Sequence, residues 1–216
     1  MPSVSAVRPA SCAACGAASR PVGAPLGLHG HGSRSRQVRG PLDAGASPVL
    51  VELRVRRYRC RGCGASQTVV PAEVLARKLY SLAALAWALA LWGLESLPAA
   101  AVRRRVSPWE VVGPGSAGRW DALCRWAGEA RRGRLLCCVR PAPADWTARA
   151  VAARAATTVA AFALPATGPP SLSACAFRGA ERARGGTRSQ ALGSPRFRSP
   201  SHPTPPVLES LPPAGR

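Results

Sequence analysis

The sequence predicts an α+β protein: a small β-hairpin module, then a helical region, then a disordered C-terminal tail. Three observations predict it. Apolar and polar residues alternate with period two from Val49 to Arg56. From Ala72 onward the apolar spacing becomes that of a helix. From residue 165 the chain carries 10 Pro and 6 Gly in 52 residues, a composition that packs no core. With 216 residues there is room for one or two small domains. The divisions are 1–76, 77–134, 141–164 and 165–216.

The hairpin comes first. Val49, Val51, Leu53 and Val55 point to one side of a half-buried strand, and Glu52, Arg54, Arg56 and Tyr58 to the other. Ser33–Arg39 is its expected partner. Gly40–Pro48 is rich in turn formers and joins the two.

The helices follow. Leu79, Leu82, Ala83, Ala86, Leu89, Ala90 and Gly93 form a stripe, widened by Leu85, Trp87 and Trp92. Leu79–Leu94 is 16 residues without a charge, shorter than the roughly 17–25 a membrane span needs. A buried core helix is expected, with no membrane partner. Ser96 is the expected N-cap of a second helix, with Pro98 in its first turn. Ser116 is the expected cap of a third, lined by Trp120, Leu123, Ala127 and Ala130 and stopped at Gly133. An Ala-rich helix is expected within 141–164.

Charge narrows the function. Lys+Arg is 30 against 10 Asp+Glu, a formal net charge of +20, and Lys78 is the single lysine. Ten dispersed carboxylates do not make a carboxylate-based catalytic core, and no enzyme is expected. So basic a chain is drawn to nucleic acid or anionic membrane surfaces.

Eight cysteines stand at 12, 15, 60, 63, 124, 137, 138 and 175. The first eight residues carry no apolar stretch of secretory length, so a cytoplasmic, reducing location is expected. There, paired cysteines favour metal or redox roles. Cys12-Ala-Ala-Cys15-Gly16 and Cys60-Arg-Gly-Cys63-Gly64 are two copies of one pattern. Two residues between cysteines let both sulfurs of a tight turn face one point. The following glycine permits the twist that aims main-chain N–H groups at thiolates. Four such sulfurs suit Zn²⁺ in a closed, structural zinc ribbon. A redox dithiol normally starts a helix in a βαβ unit, a context absent from both pairs. His29 and His31 lie between the pairs; four sulfurs already complete a tetrahedral shell, so they are expected in a loop or against phosphate. Cys124, Cys137, Cys138 and Cys175 lack paired spacing.

The order Cys-x-x-Cys, then His-Gly-x-x-x-Arg-x-Arg (His29, Gly30, Arg34 and Arg36), and a basic strand Val51–Cys60 running into a second Cys-x-x-Cys resembles the N-terminal zinc-finger region of insertion-sequence transposases. In that family a helix-turn-helix follows. Ala88–Val106 resembles its first two helices, and Arg119–Trp126 the end of its third. The likeness covers about residues 10–132. It departs from the family at Ala13, where proline is common, and at Ser107–Ser116, which replaces a tight turn. No DDE-type catalytic domain follows it.

The resemblance implies binding of double-stranded DNA without cutting or joining, nucleoid association, and room for self-association; no small-molecule substrate is implied. The expected contacts are Arg34, Arg36, Arg54, Arg56, Arg57, Arg59 and Arg61 on the ribbon, and Arg103, Arg104 and Arg105 beside the groove. Arg119 and Arg125 stand nearest the base edges on the reading helix. A zinc-ribbon protein-interaction module, a small membrane-associated protein and a decayed transposase fragment are the alternatives left open.

Overall fold

The computed structural model describes residues 5–71, 73–75, 77–110, 120–136, 138–165, 170–183 and 190–193. It is α+β. Strands β1 (Leu28–Gly40), β2 (Val49–Cys60), β3 (Ser66–Val70) and β4 (Gln190–Gly193) form one antiparallel sheet in the order β1-β2-β3-β4. Five helices surround a separate apolar core: α1 (Leu82–Gly93), α2 (Ala99–Val106), α3 (Asp121–Arg131), α4 (Ala148–Ala160) and α5 (Leu172–Ala183).

The hairpin is longer than the alternation alone suggests. β1 runs from Leu28, opposite Cys60, to Gly40, opposite Val49, with one irregularity between Gly30 and Ser33. The two faces of β2 exchange character half-way along. Near the turn, Leu53 and Val55 pack with Val38, Val70 and Val74, while Arg54 and Glu52 face solvent. Near Cys60 the pattern inverts: Tyr58 is fully buried and Arg59 is exposed. Period two still holds. What changes is that the N-terminal segment covers the second face, so Tyr58 is not on the exposed polar face expected for it.

α1 is apolar all round because it is covered all round. Leu82 through Trp92 are buried, and the helix packs against α4, α5, α3 and α2. Ser81 caps it, its side chain accepting the Ala84 N–H at 3.1 Å. Small residues allow a close approach: a Cβ on Gly93 would lie 2.4 Å from the Ala153 nitrogen of α4. None of the described helices is long and apolar enough to cross a membrane.

Three boundaries differ from expectation. Pro98, not Ser96, occupies the N-cap of α2, and Ser96 sits at φ +57° just before it. α3 starts at Asp121 with Trp120 at its N-cap; Ser116 and Arg119 lie outside the described residues. Order also extends into the stretch expected to be disordered from 165. Leu172–Ala183 is a helix with Ala176, Phe177 and Ala180 buried, and Gln190–Gly193 pairs with β3. Averaging composition over 52 residues hid a short amphipathic segment. The remainder, 166–169, 184–189 and 194–216, lies outside the described residues.

The hairpin is joined to the helices. Arg39 donates its N–H to Leu79 and accepts from Ser81, at 2.7 and 3.0 Å. Lys78 pairs with Glu129 of α3.

Candidate metal centre and basic face

Each Cys-x-x-Cys-Gly folds into the same turn. In the first, the Gly16 N–H reaches the Cys12 carbonyl at 2.8 Å and the Cys12 N–H reaches Ala17 at 2.9 Å. In the second, Gly64 reaches Cys60 and Cys60 reaches Ala65, both at 2.9 Å. Both turns close through a glycine at positive φ, +73° at Gly16 and +65° at Gly64, where a side chain would strain the backbone. A local sequence pattern thus builds two nearly identical sulfur-bearing knuckles.

The sheet then brings them together. β1 and β2 carry the chain out and back, so the long interval between the pairs ends where it began, with Leu28 opposite Cys60. Leu28 packs fully buried beneath Cys12, Cys60 and Ala65. The first knuckle docks through Gln67 of β3. Its Oε1 accepts the Ala13 N–H at 2.9 Å, and its Nε2 donates to the Ser11 carbonyl at 3.4 Å. The sequence reading missed Gln67. The available signal was an amide side chain in the short segment Ser66–Val70, directly after a knuckle.

The four sulfurs of Cys12, Cys15, Cys60 and Cys63 lie within 4.8 Å of one another. Cys12 Sγ is 3.7 Å from Cys63 Sγ, and Cys15 Sγ is 3.7 Å from Cys60 Sγ. A tetrahedron of thiolates about 2.3 Å from its centre has edges of about 3.8 Å. The residues therefore fit a metal ion with four sulfur ligands, and the four cysteines expected as ligands are the four that converge. His29 and His31 are exposed on β1 and stand outside the cluster.

The thiols are electrostatically unequal. The Cys63 backbone N–H, joined by the Cys15 and Cys63 thiols and the Gly62 N–H, draws Cys60 down to about 7 against its burial. Cys15 receives a backbone hydrogen bond from Ala17 that favours its thiolate. The sulfurs of Cys63, Cys12 and Cys60 and its desolvation outweigh that bond, pushing Cys15 up to about 12. Crowded sulfurs that resist sharing negative charge are relieved by a cation at their centre.

The arginines singled out in the sequence do not form one patch. Directly opposed residues on paired strands share a face. Arg57 and Arg59 therefore lie with Arg34 and His29 on one side of the sheet, while Arg54 and Arg56 lie on the other beside Ser33 and Ser35. Arg61 is exposed in the second knuckle, its backbone N–H donated to Gly27. Arg54 donates to the Ser33 hydroxyl at 3.1 Å. Arg36 is committed to the fold: its Nη2 donates to the carbonyls of Leu75 and Lys78, both at 2.7 Å. On α2, Arg104 and Arg105 are exposed and Arg103 half-buried; Arg105 approaches Glu95 at 3.9 Å. Arg125 is exposed on α3.

Comparison with protein-family models, with curated proteins and with solved structures finds no match.

Proposed function

We propose that the protein is a zinc-stabilised, duplex-DNA-binding protein, akin to the DNA-recognition end of an insertion-sequence transposase and without catalytic chemistry of its own. The observation that carries the reading is the four-sulfur cluster at the base of a hairpin with arginines on both faces. A closed tetrathiolate site has no open position for substrate, so its role is to fix structure. Zinc would supply folding free energy on the order of 10 kcal/mol to the N-terminal module.

Arg34, Arg57, Arg59 and Arg61 are the first contacts to test, since the register gathers the first three on one face and Arg61 follows in the adjoining knuckle. Guanidinium forks meet phosphate oxygens or guanine edges through paired hydrogen bonds. Arg36 no longer belongs among them. Arg104 and Arg105 would grip the backbone, and Arg125 would face the bases from α3. Binding to chromosomal DNA would make the protein nucleoid-associated.

The test is fluorescence anisotropy of the zinc-loaded chain with a labelled random duplex at two salt concentrations. Phosphate contacts require affinity to fall steeply with salt, by roughly 0.9 in log–log slope per contact. Absence of binding at low salt, or a flat salt response, overturns DNA binding while leaving the metal site intact.

A further inference from the structure

The sulfur cluster is built for a second chemistry besides metal binding. Its two 3.7 Å contacts both cross from one knuckle to the other, Cys12 Sγ to Cys63 Sγ and Cys15 Sγ to Cys60 Sγ. Spacing in the sequence would instead pair each cysteine with its neighbour in the same Cys-x-x-Cys. A disulfide holds its sulfurs about 2.05 Å apart, so each crossed pair closes by an approach of only about 1.7 Å. The knuckles are also held face to face without any covalent bond. Gln67 ties Ala13 and Ser11 to β3, and Leu28 packs with both Cys12 and Cys60.

Access completes the arrangement. Cys15 is exposed and Cys63 half-buried, while their crossed partners Cys60 and Cys12 are buried. A solvent-accessible sulfur with a second cysteine beside it is the arrangement of an oxidation sensor and its resolving thiol. We propose that the cluster is an oxidant-responsive switch, in which a hydroperoxide converts the four thiolates into two crossed disulfides, Cys15–Cys60 first and Cys12–Cys63 second, and so discharges the metal. The Cys15 thiolate attacks the peroxide; an S–O bond forms as the O–O bond breaks, and the departing hydroxide takes a proton from solvent. The Cys60 thiolate then attacks that sulfenic sulfur. The S–S bond forms, and a second hydroxide leaves and is protonated to water. Two electrons pass from two thiolates to one peroxide, and a second peroxide serves Cys63 and Cys12 in the same way. The first disulfide removes two of the four ligands, which releases the ion. The crossed bonds then staple the N-terminal segment to the sheet in place of the metal. The release of metal rests on the zinc reading above; the pairing rests on the sulfur geometry alone.

The experiment treats the zinc-loaded full chain with hydrogen peroxide. A chromogenic chelator reads released zinc, and tryptic digestion with tandem mass spectrometry maps the disulfides. Cys12 and Cys15 share one tryptic peptide, whereas cleavage after Arg61 separates Cys60 from Cys63. Crossed pairing therefore joins three peptides, and pairing within each knuckle leaves the Cys12 peptide closed on itself. One zinc per chain should be released in step with the first disulfide, which at one equivalent of peroxide joins the Cys60 fragment to Cys15. A second equivalent should add Cys12–Cys63, and dithiothreitol with zinc should restore the starting state. Disulfides within the knuckles, bonds between chains, zinc retained in excess peroxide, or oxidation that dithiothreitol does not reverse would each overturn the proposal. A chain that takes up no zinc before oxidation overturns the zinc reading and the switch with it, and the peptide map of that chain still decides the pairing.

Discussion

Gln67 and Ala13 are joined by a 2.9 Å hydrogen bond that crosses from β3 to the first knuckle. The bond fixes one pair of sulfurs relative to the other, because the second knuckle is continuous with β2 and β3 while the first reaches the sheet from the N-terminus. Gln67 is almost wholly buried, so its amide serves the knuckle rather than solvent.

Gln67→Leu should keep the strand and remove the clamp. Partners that orient metal ligands typically contribute 10–100-fold in metal affinity. A loss of roughly tenfold is expected in a chelator competition, with the helical signal unchanged.

Arg36 and Arg59 should separate in their effects. Arg36→Ala leaves two carbonyls without their charged donor, so stability should fall by about 1–3 kcal/mol in urea unfolding. Arg59→Ala touches an exposed side chain and should leave stability within about 0.5 kcal/mol. It should instead lower the salt slope of DNA binding by about one contact. The reverse pattern would exchange their roles.

Gly93→Val should destabilise the helices without touching the sulfur site. Its side chain would run into the Ala153 backbone, where even a Cβ comes within 2.4 Å. Overpacking of this kind costs about 1–3 kcal/mol. The zinc-to-protein ratio of the folded fraction should stay the same.

Metal loading should follow pH in a calculable direction. Metals bind thiolates, so every proton still on a sulfur of the free protein must leave. Cys15, held at about 12, is protonated at neutral pH and loses its proton on loading. Cys60, drawn to about 7, is partly ionised there. Affinity therefore rises with pH, and its pH slope steepens by up to one proton as Cys60 becomes protonated below about 7. Proton release on zinc addition, measured by isothermal titration in buffers of different ionisation enthalpy, checks both statements.

The sulfur ligands were legible because their pattern is local. Cys-x-x-Cys-Gly encodes its own turn, and the alternation of Val49–Arg56 encodes the strand that returns one knuckle to the other. α1, α2 and α3 were legible from the spacing of the apolar residues they bury, and α4 from its alanine content. What escaped depends on the partner rather than on the segment. Tyr58 has the right parity for solvent, but the N-terminal segment covers that end of its face. Arg36 looks like its neighbours until the Leu75 and Lys78 carbonyls come within 2.7 Å. The grouping of basic residues failed for a related reason: neighbours in sequence on a strand point to opposite faces. α5 was lost in the average of a Pro-rich stretch.

The most direct measurement is native mass spectrometry of the full chain, purified under reducing conditions and refolded with one equivalent of zinc. One zinc per chain is expected, lost in Cys60→Ser and retained in Cys124→Ser. A wild-type chain that stays metal-free, or a Cys60→Ser chain that holds zinc as tightly as the wild type, would contradict a site built from these four sulfurs.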